Sequence, residues 1–451
     1  MRQIIFFLFI IFFSHTACAQ YKVEGVIENY NNRKLMLADF YGDQKNIIDS
    51  TRSSESGIFS FSFPENRATG MYRIILDNRD FFDFIFNKED VRLIAKAENP
   101  MQSATSVESI ENDLYYSYLD TRNKSLYKLD LLNPVIRYYP EENEFYTKAL
   151  EEFVAVQDGL YDFVDSLRQQ FPDAFATRIA LMEREPQSDP LWNPFEESLY
   201  KRKHFFDDVD FSDTSLLRSN VISTKIISYL SLYQNKNFSK EQLENSFKQA
   251  VDTILKVTRP YPLLYEFALD YLISGFEQYG FNGVIEYIAG HATLEEDCEY
   301  SENASKLEQR IETLKKLSNG NTAPDFTASD IEGNEVSLTD TKNNKTLLVF
   351  WASWCPHCTH MLPGLKDYFE QNKEDLRVIA VSIDSSRSDF MNFIREGNYA
   401  WTNIADFKGW NNEVAELYGI YATPTLILLD ADRKILGKPN DVGELREMMG
   451  E

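Results

Sequence analysis

A chain of 451 residues is too long for one ordinary hydrophobic core and is expected to divide into two or three domains. Its 33 Phe and 25 Tyr argue against long disorder, and a net charge of −25 argues against nucleic-acid binding, which needs a basic footprint. The acidity is spread along the whole length and reads as general solubility.

The first residues, MRQIIFFLFIIFFSHTACAQ, place one early Arg before an apolar run from Ile4 to Phe13, followed by small residues. That run is too short to span a bilayer comfortably and predicts a secretory signal over residues 1–19. Two ends to this leader compete. Ala17-Cys18-Ala19 fits the small-x-small cleavage pattern and gives a soluble exported chain starting at Gln20. Thr16-Ala17-Cys18 resembles a bacterial lipobox, in which Cys18 becomes a lipidated first residue; His15 stands where that motif usually has Leu. No later segment is apolar enough to cross a membrane, so the expected location is the periplasm or cell envelope, with membrane attachment only through a lipidated Cys18.

From residue 20 to 103 the sequence alternates with period two and is punctuated by turn residues: VEGVIENY, KLMLADF, SGIFSFSF, MYRIILD and FFDFIF. This pattern predicts a small antiparallel β domain. VEGVIENY, IIDSTRSSESGIFSFSF and GMYRIIL resemble the β-rich domain that precedes thioredoxin-like domains in many exported Bacteroidetes proteins. No cluster of catalytic residue types occurs here, which leaves docking or packing as its work.

Residues 104–318 change to helical spacing. Phe153, Val156, Leu160, Phe163, Leu167 and Phe171 recur every three or four positions before Pro172, and Phe247, Val251, Ile254 and Leu255 repeat the signal. Such stripes are core faces, and they predict an all-α middle region. The stretch HFFDDVDFSDTSLLRSNVISTKIISYL resembles the helical insert of the same exported proteins. After the charged helix SENASKLEQRIETLKKL, the break SNGNTAPDF marks a linker into a last domain, residues 319–451.

In that last domain apolar strands and helices alternate. A hairpin pattern (DFTASDIEGNEVSL) leads to strand TLLVFWAS, a helix from Cys355, strand RVIAVSID, helices SDFMNFIREG and NNEVAELYGI, strands TLILLD and KILG, and a closing helix GELREMM. Apolar strands separated by helices imply a sheet covered on both faces. At the end of TLLVFWAS stand Cys355 and Cys358, the pair that carries the chemistry. Of the other two cysteines, Cys18 belongs to the leader and Cys298 sits in LEEDCEY without an obvious partner.

A thiol reacts as thiolate. At a helix start Cys355 would face unpaired amide hydrogens and the positive end of the peptide dipoles, which lower its pKa and make it the nucleophile. Pro356 in the first turn loses no needed donor. Cys358, one turn on, can attack the mixed disulfide and release the substrate. His357 offers a cation beside the thiolate, and stabilising the reduced form makes the disulfide a stronger oxidant. Trp354 offers a flat apolar rim or packs locally.

Rival readings each make a demand. Haem attachment wants His directly after the second Cys, where Thr359 stands. Zinc would need a cage from the two cysteines with His357 and His360 inside one helical turn, a poor geometry, so no metal is expected. A peroxiredoxin-type peroxidase would place Thr and Pro where Ala352 and Leu348 are. A permanent structural bridge across so small a loop gains little chain entropy.

From about Asn319 onward the chain resembles the TlpA/ResA group of exported thioredoxin-like proteins, on APDF, DIEGNEVSL, LLVFWASWCPHC, Pro363, YGIYATPT and LLDADRKILG. The resemblance implies a thioredoxin-like fold with an added strand and helix, and a proline, Pro424, that is cis and faces the cysteine pair. It implies too that Thr423 pairs with the substrate backbone. It implies a thiol-disulfide oxidoreductase acting on envelope proteins as reductase or isomerase, recharged by a membrane redox partner, with no cofactor beyond the Cys355–Cys358 disulfide. The Pro-His pair between the cysteines points instead toward oxidation. The chain departs from the group at Val349, where thioredoxins bury an acid, and at Met361, where ResA-type proteins carry Glu; His357, His360 or water is left as proton acceptor. The other functional class is a non-catalytic envelope binding factor that uses a thioredoxin-like module for docking.

Overall fold

The computed structural model describes residues 20–77, 79–292, 304–340 and 344–451. The expected leader with Cys18, and Cys298, lie outside the described residues. The chain gathers into two compact units, one up to Leu232 and one from Tyr233 onward. The helical stretch expected over 104–318 contributes to both.

In the first unit, alternation dictates the strands. They are β1 (Gln20–Glu28), β2 (Lys34–Tyr41), β3 (Gln44–Arg52), β4 (Ile58–Pro64), β5 (Gly70–Leu76), β6 (Phe81–Phe86) and β7 (Val91–Lys96), followed by a short helix α1 (Pro100–Ser103) and β8 (Thr105–Glu108). In β4, Phe59, Phe61 and Phe63 turn inward while Ser60 and Ser62 face water. The strands form two sheets, β4-β1-β7-β8 and β3-β2-β5-β6, which share one core. Phe63 of the first sheet meets Tyr72 and Phe86 of the second at ring-centroid distances of 5.0 and 4.7 Å. The expected antiparallel pairing holds except between β1 and β7, which run parallel. Between those two strands the chain builds β2 to β6, and a parallel pair requires such a long crossover.

Among the described residues this unit continues with the α-helices α2 (Ile110–Tyr138), α3 (Glu144–Gln170), α4 (Phe175–Glu183), α5 (Pro194–His204) and α6 (Val221–Ser231). On α3, Val156 and Leu167 are buried as their spacing predicts, and Phe153, Leu160 and Phe163 are half-buried. Phe171 is exposed, because it is the non-helical cap residue (φ −136°, ψ 58°) and leaves the stripe. Helix α4 has no side-chain cap of its own. The buried Glu111 carboxylate of α2 serves instead, accepting from the Phe175 and Ala176 amides at 2.9 Å each.

The second unit begins with α7 (Lys240–Thr258), α8 (Pro262–Gln278), α9 (Asn282–His291) and α10 (Ala304–Lys316). Helix α7 starts in a Ser239/Gln242 capping box and buries Phe247, Val251, Ile254 and Leu255, the face its sequence predicts. There follow β9 (Thr327–Ser329), β10 (Glu335–Ser337), β11 (Lys345–Trp351), α11 (Pro356–Asn372), β12 (Leu376–Ser382), α12 (Arg387–Gly397), β13 (Thr402–Ala405), α13 (Glu413–Leu417), β14 (Thr425–Asp430), β15 (Ile435–Gly437) and α14 (Val442–Met449).

Strands β13-β12-β11-β14-β15 form a mixed sheet in that order, with β11, β12 and β13 parallel and the last two antiparallel. The central strand β11 is buried on both faces, which explains its unbroken apolar run. Trp351 packs on Phe390 and Phe393 of α12, while its neighbour Phe350 meets Tyr418, the residue after α13. The C-terminal ends of β11 and β12 therefore emerge side by side from a rigid core. Among the described residues no helix is long and apolar enough to cross a membrane.

Candidate active site

Where β11 ends, the chain turns sharply into α11. The Cys355 amide donates to the Ala352 carbonyl at 3.2 Å, closing a turn whose central residues are Ser353 and Trp354. Pro356 occupies the first helical turn, and Cys355 is the N-cap, with extended dihedrals (φ −86°, ψ 113°). Cysteine here does what Ser or Asp does at other helix starts: its Sγ accepts from the Cys358 amide at 3.3 Å.

Across from the helix start lies the Thr423–Pro424 segment, whose peptide bond is cis. The Cys355 thiol donates to the Thr423 carbonyl at 3.3 Å. Cys355, Cys358 and Thr423, which the sequence separates by most of a domain, thus meet at one point. Both cysteines are free thiols. Cys355 keeps a narrow opening, 5 % exposed, while Cys358 at 0 % has none, so an incoming sulfur can reach only the first.

The two thiols differ in acidity. Burial pushes the Cys355 thiol up, but hydrogen bonds from the Cys358 and Thr423 side chains and from the Cys358 and His357 amides outweigh it and hold it below the ordinary thiol value. Burial pushes Cys358 up to about 12, reinforced by its hydrogen bond to Cys355. His357 was expected to act through a charged ring; its side chain is exposed, and its contribution to the Cys355 sulfur is its backbone amide. His360 is exposed as well. Val349 is wholly buried in the core, and Met361 packs against that core from a half-buried position.

Trp354 is 55 % exposed, and its ring lies 6.3 Å from that of Trp410, itself 46 % exposed. Tyr421, just before the cis bond, is exposed and lies against the Arg310 guanidinium of α10 at 5.0 Å. Gly419, in the same connection, has φ +54°, and a Cβ there would meet Thr313 Cγ2 at 2.8 Å, so the close approach of α10 requires glycine. Trp410 escapes sequence reasoning because nothing in its spacing ties it to the cysteine pair, and Tyr421, though two residues before Thr423, is given no role by it.

A buried carboxylate was also missed. Asp384, 1 % exposed and just beyond β12, accepts from the Ser353 amide at 3.0 Å, the Ser353 hydroxyl at 2.6 Å and the Ser382 hydroxyl at 2.7 Å. Its signal in the sequence is an acid directly after the apolar run VIAVSI, at the strand end where sites of α/β sheets gather.

Residues 319–437 match the AhpC/TSA family, while residues 21–115 and 189–275 match two domains of unknown function, DUF4369 and DUF5106. The thiol-disulfide oxidoreductase ResA of Bacillus thuringiensis subsp. konkukian is 29 % identical over 123 residues, covering 27 % of this chain and 69 % of that protein. A thioredoxin-like protein of Haemophilus influenzae is 35 % identical over 106 residues, covering 23 % of this chain and 60 % of its own. The crystallised thioredoxin domain of a Bacteroides vulgatus thiol-disulfide oxidoreductase is 30 % identical, covering 30 % of this chain and 96 % of that one, with a TM-score of 0.28. The C-terminal part of the chain is a thioredoxin-like domain, and the protein an oxidoreductase. More narrowly, that domain is similar to the ResA thiol-disulfide oxidoreductases.

Proposed function

We propose that the protein exchanges disulfides with client proteins of the bacterial cell envelope, with Cys355 as nucleophile and Cys358 as resolving thiol. The observation that carries this reading is the division of labour within the pair: a slightly open, acidified Cys355 capping α11, and a sealed Cys358 held protonated. In the reducing direction the Cys355 thiolate attacks one sulfur of a client disulfide. A Cys355–client bond forms, and the client's other sulfur leaves as thiolate. Cys358 then loses its proton and attacks Cys355 Sγ, closing the Cys355–Cys358 disulfide and releasing the client reduced by two electrons. A dithiol or membrane redox partner of the envelope must then reduce the pair.

Reduction or isomerisation is the favoured direction, by resemblance to the ResA/TlpA group. The hydrogen bonds that favour the Cys355 thiolate stabilise the reduced form and pull toward oxidation. Equilibration of the full chain with glutathione separates the two: a potential near the oxidising end of the thioredoxin-fold range rules out a dedicated reductant. Export rests on the leader over residues 1–19, and a lipid anchor on Cys18.

Client recognition falls to the rim. Trp354 and Trp410 present adjoining exposed rings beside the nucleophile, suited to an extended segment with apolar side chains near its cysteine. The Thr423 backbone lies where such a segment would run. Insulin reduction by wild type and Cys355→Ser tests the catalytic reading against that of a binding factor: loss of turnover in the variant supports catalysis, and equal rates refute it.

A further inference from the structure

The turn that delivers Cys355 to its helix is fastened to the end of the neighbouring strand β12. Strands β11 and β12 pair in parallel register up to Trp351 and Ser382, and the Ile383 amide extends the ladder to the Trp351 carbonyl at 2.9 Å. Beyond that point β11 bends away, and the regular ladder stops. Asp384 takes over. Its carboxylate accepts from both the amide and the hydroxyl of Ser353, the first central residue of the turn, while its third partner is the Ser382 hydroxyl. Ser382 accepts in return from the Asp384 amide at 3.0 Å, so the carboxylate cannot swing without breaking its own anchor. Among the described residues Asp384 makes no ion pair; all that compensates a charge there is this set of hydroxyl and amide donors, all spent on the turn and its neighbouring strand.

We propose that Asp384 is a positioning residue for disulfide exchange: through Ser353 it fixes the bend between β11 and α11 and so sets Cys355 Sγ onto the Cys358 amide and the Thr423 carbonyl. The proposal rests on the reading of Cys355 as nucleophile. The Cys358 amide donates to the sulfur and the thiol donates to the Thr423 carbonyl, each at 3.3 Å; both bonds are sensitive to small displacements of Sγ, and a turn held by its amide and its hydroxyl at once has little freedom to supply one. Asp384 touches neither sulfur in any bond described here, so its effect on chemistry passes through the loop. The titratable groups beside Cys355 on α11 are Cys358 and the exposed His357 and His360; from the opposing connection the Thr423 carbonyl accepts from its thiol.

The test is the pH dependence of iodoacetamide alkylation at Cys355, read by mass spectrometry on the reduced full chain. The variants are Ser353→Ala, Ser353→Thr and Asp384→Asn. Ser353→Ala keeps the Asp384 charge and removes one donor; its alkylation rate at neutral pH is expected to fall by at least about threefold, with the midpoint moving toward that of a free thiol. Ser353→Thr keeps the hydroxyl and is expected to restore the wild-type profile. Asp384→Asn turns an acceptor into a donor facing the Ser353 amide or hydroxyl and is expected to shift the midpoint upward too. Thermal unfolding of each variant separates stability from placement: a lower Tm with an unchanged alkylation profile overturns the proposal, as does an Asp384→Asn midpoint that moves down while Ser353→Ala leaves it unmoved, which would assign the effect to charge. If wild-type Cys355 itself titrates as an ordinary thiol, the nucleophile reading fails first, an outcome distinct from either.

Discussion

The sharpest consequence of the site's geometry concerns the sulfur that should not react. Cys358 is wholly buried and its pKa is raised from 9.0 to about 12, with burial the larger cause and the hydrogen bond to Cys355 the smaller. At pH 8 a group of that pKa is ionised to the extent of ~10⁻⁴, against roughly a quarter for a free cysteine. Allowing an error of about one unit still leaves more than about a hundredfold suppression, before access is considered. The perturbation is Cys355→Ser, which removes the competing thiol and the smaller cause while leaving the burial intact. The assay is iodoacetamide alkylation of the reduced variant at pH 8, with the site mapped by mass spectrometry. Cys358 is expected to alkylate at least about a hundredfold more slowly than free cysteine. A rate within a few-fold of free cysteine would refute the reasoning, since the pair would then have no built-in order of attack.

Three further outcomes follow from the same structure. Trp410→Ala should raise KM roughly fivefold for disulfide peptides with apolar flanks, for about 1 kcal/mol of lost ring contact, and leave peptides with polar flanks unaffected; equal effects on both would remove Trp410 from the client surface. Glu111→Ala should destabilise the first unit by roughly 2–4 kcal/mol in denaturant unfolding, because two buried amides at the start of α4 lose their acceptor, and should leave alkylation at Cys355 unchanged. The folded Cys355 pKa is lowered, so its stabilisation of the reduced form is present above the ordinary thiol pKa and is lost as pH falls through the folded value. The pair should therefore become less oxidising, relative to an unperturbed dithiol, as the solution is acidified through that value; a potential tracking an unperturbed dithiol at every pH would count against the hydrogen bonds to Cys355 Sγ.

What the sequence made legible was local. An apolar run ending in Cys-Pro-x-Cys specifies a buried strand, a tight turn and a helix start, and the Cys355 cap, Pro356 in the first turn and Cys358 one turn on all follow from that order. The serine and phenylalanine alternation of β4 predicted its two faces for the same reason. What was hidden depends on pairing register. Ser353 and Asp384 are brought together only because β12 aligns Ser382 with Trp351, and a single sequence carries no register between strands. The acid expected on the central strand is absent at Val349, whereas the buried Asp384 stands just past the end of the neighbouring strand β12, against the turn and with no bond to the sulfurs. Likewise β13 escaped notice because four residues at a sheet edge, with the polar Asn403 buried among them, give too short a pattern to read. His357 suggested a cation by residue type alone, and it is the backbone amide at that position that the fold directs to sulfur.

The most direct test of Cys355 as the attacking sulfur is covalent capture on the full chain. Cys358→Ser, reduced and mixed with a disulfide-bonded client such as insulin, is predicted to accumulate a mixed disulfide mapped to Cys355 and released by dithiothreitol, while Cys355→Ser accumulates none. An adduct on Cys358 in the Cys355→Ser variant, or none on Cys355 in the other, would contradict the account.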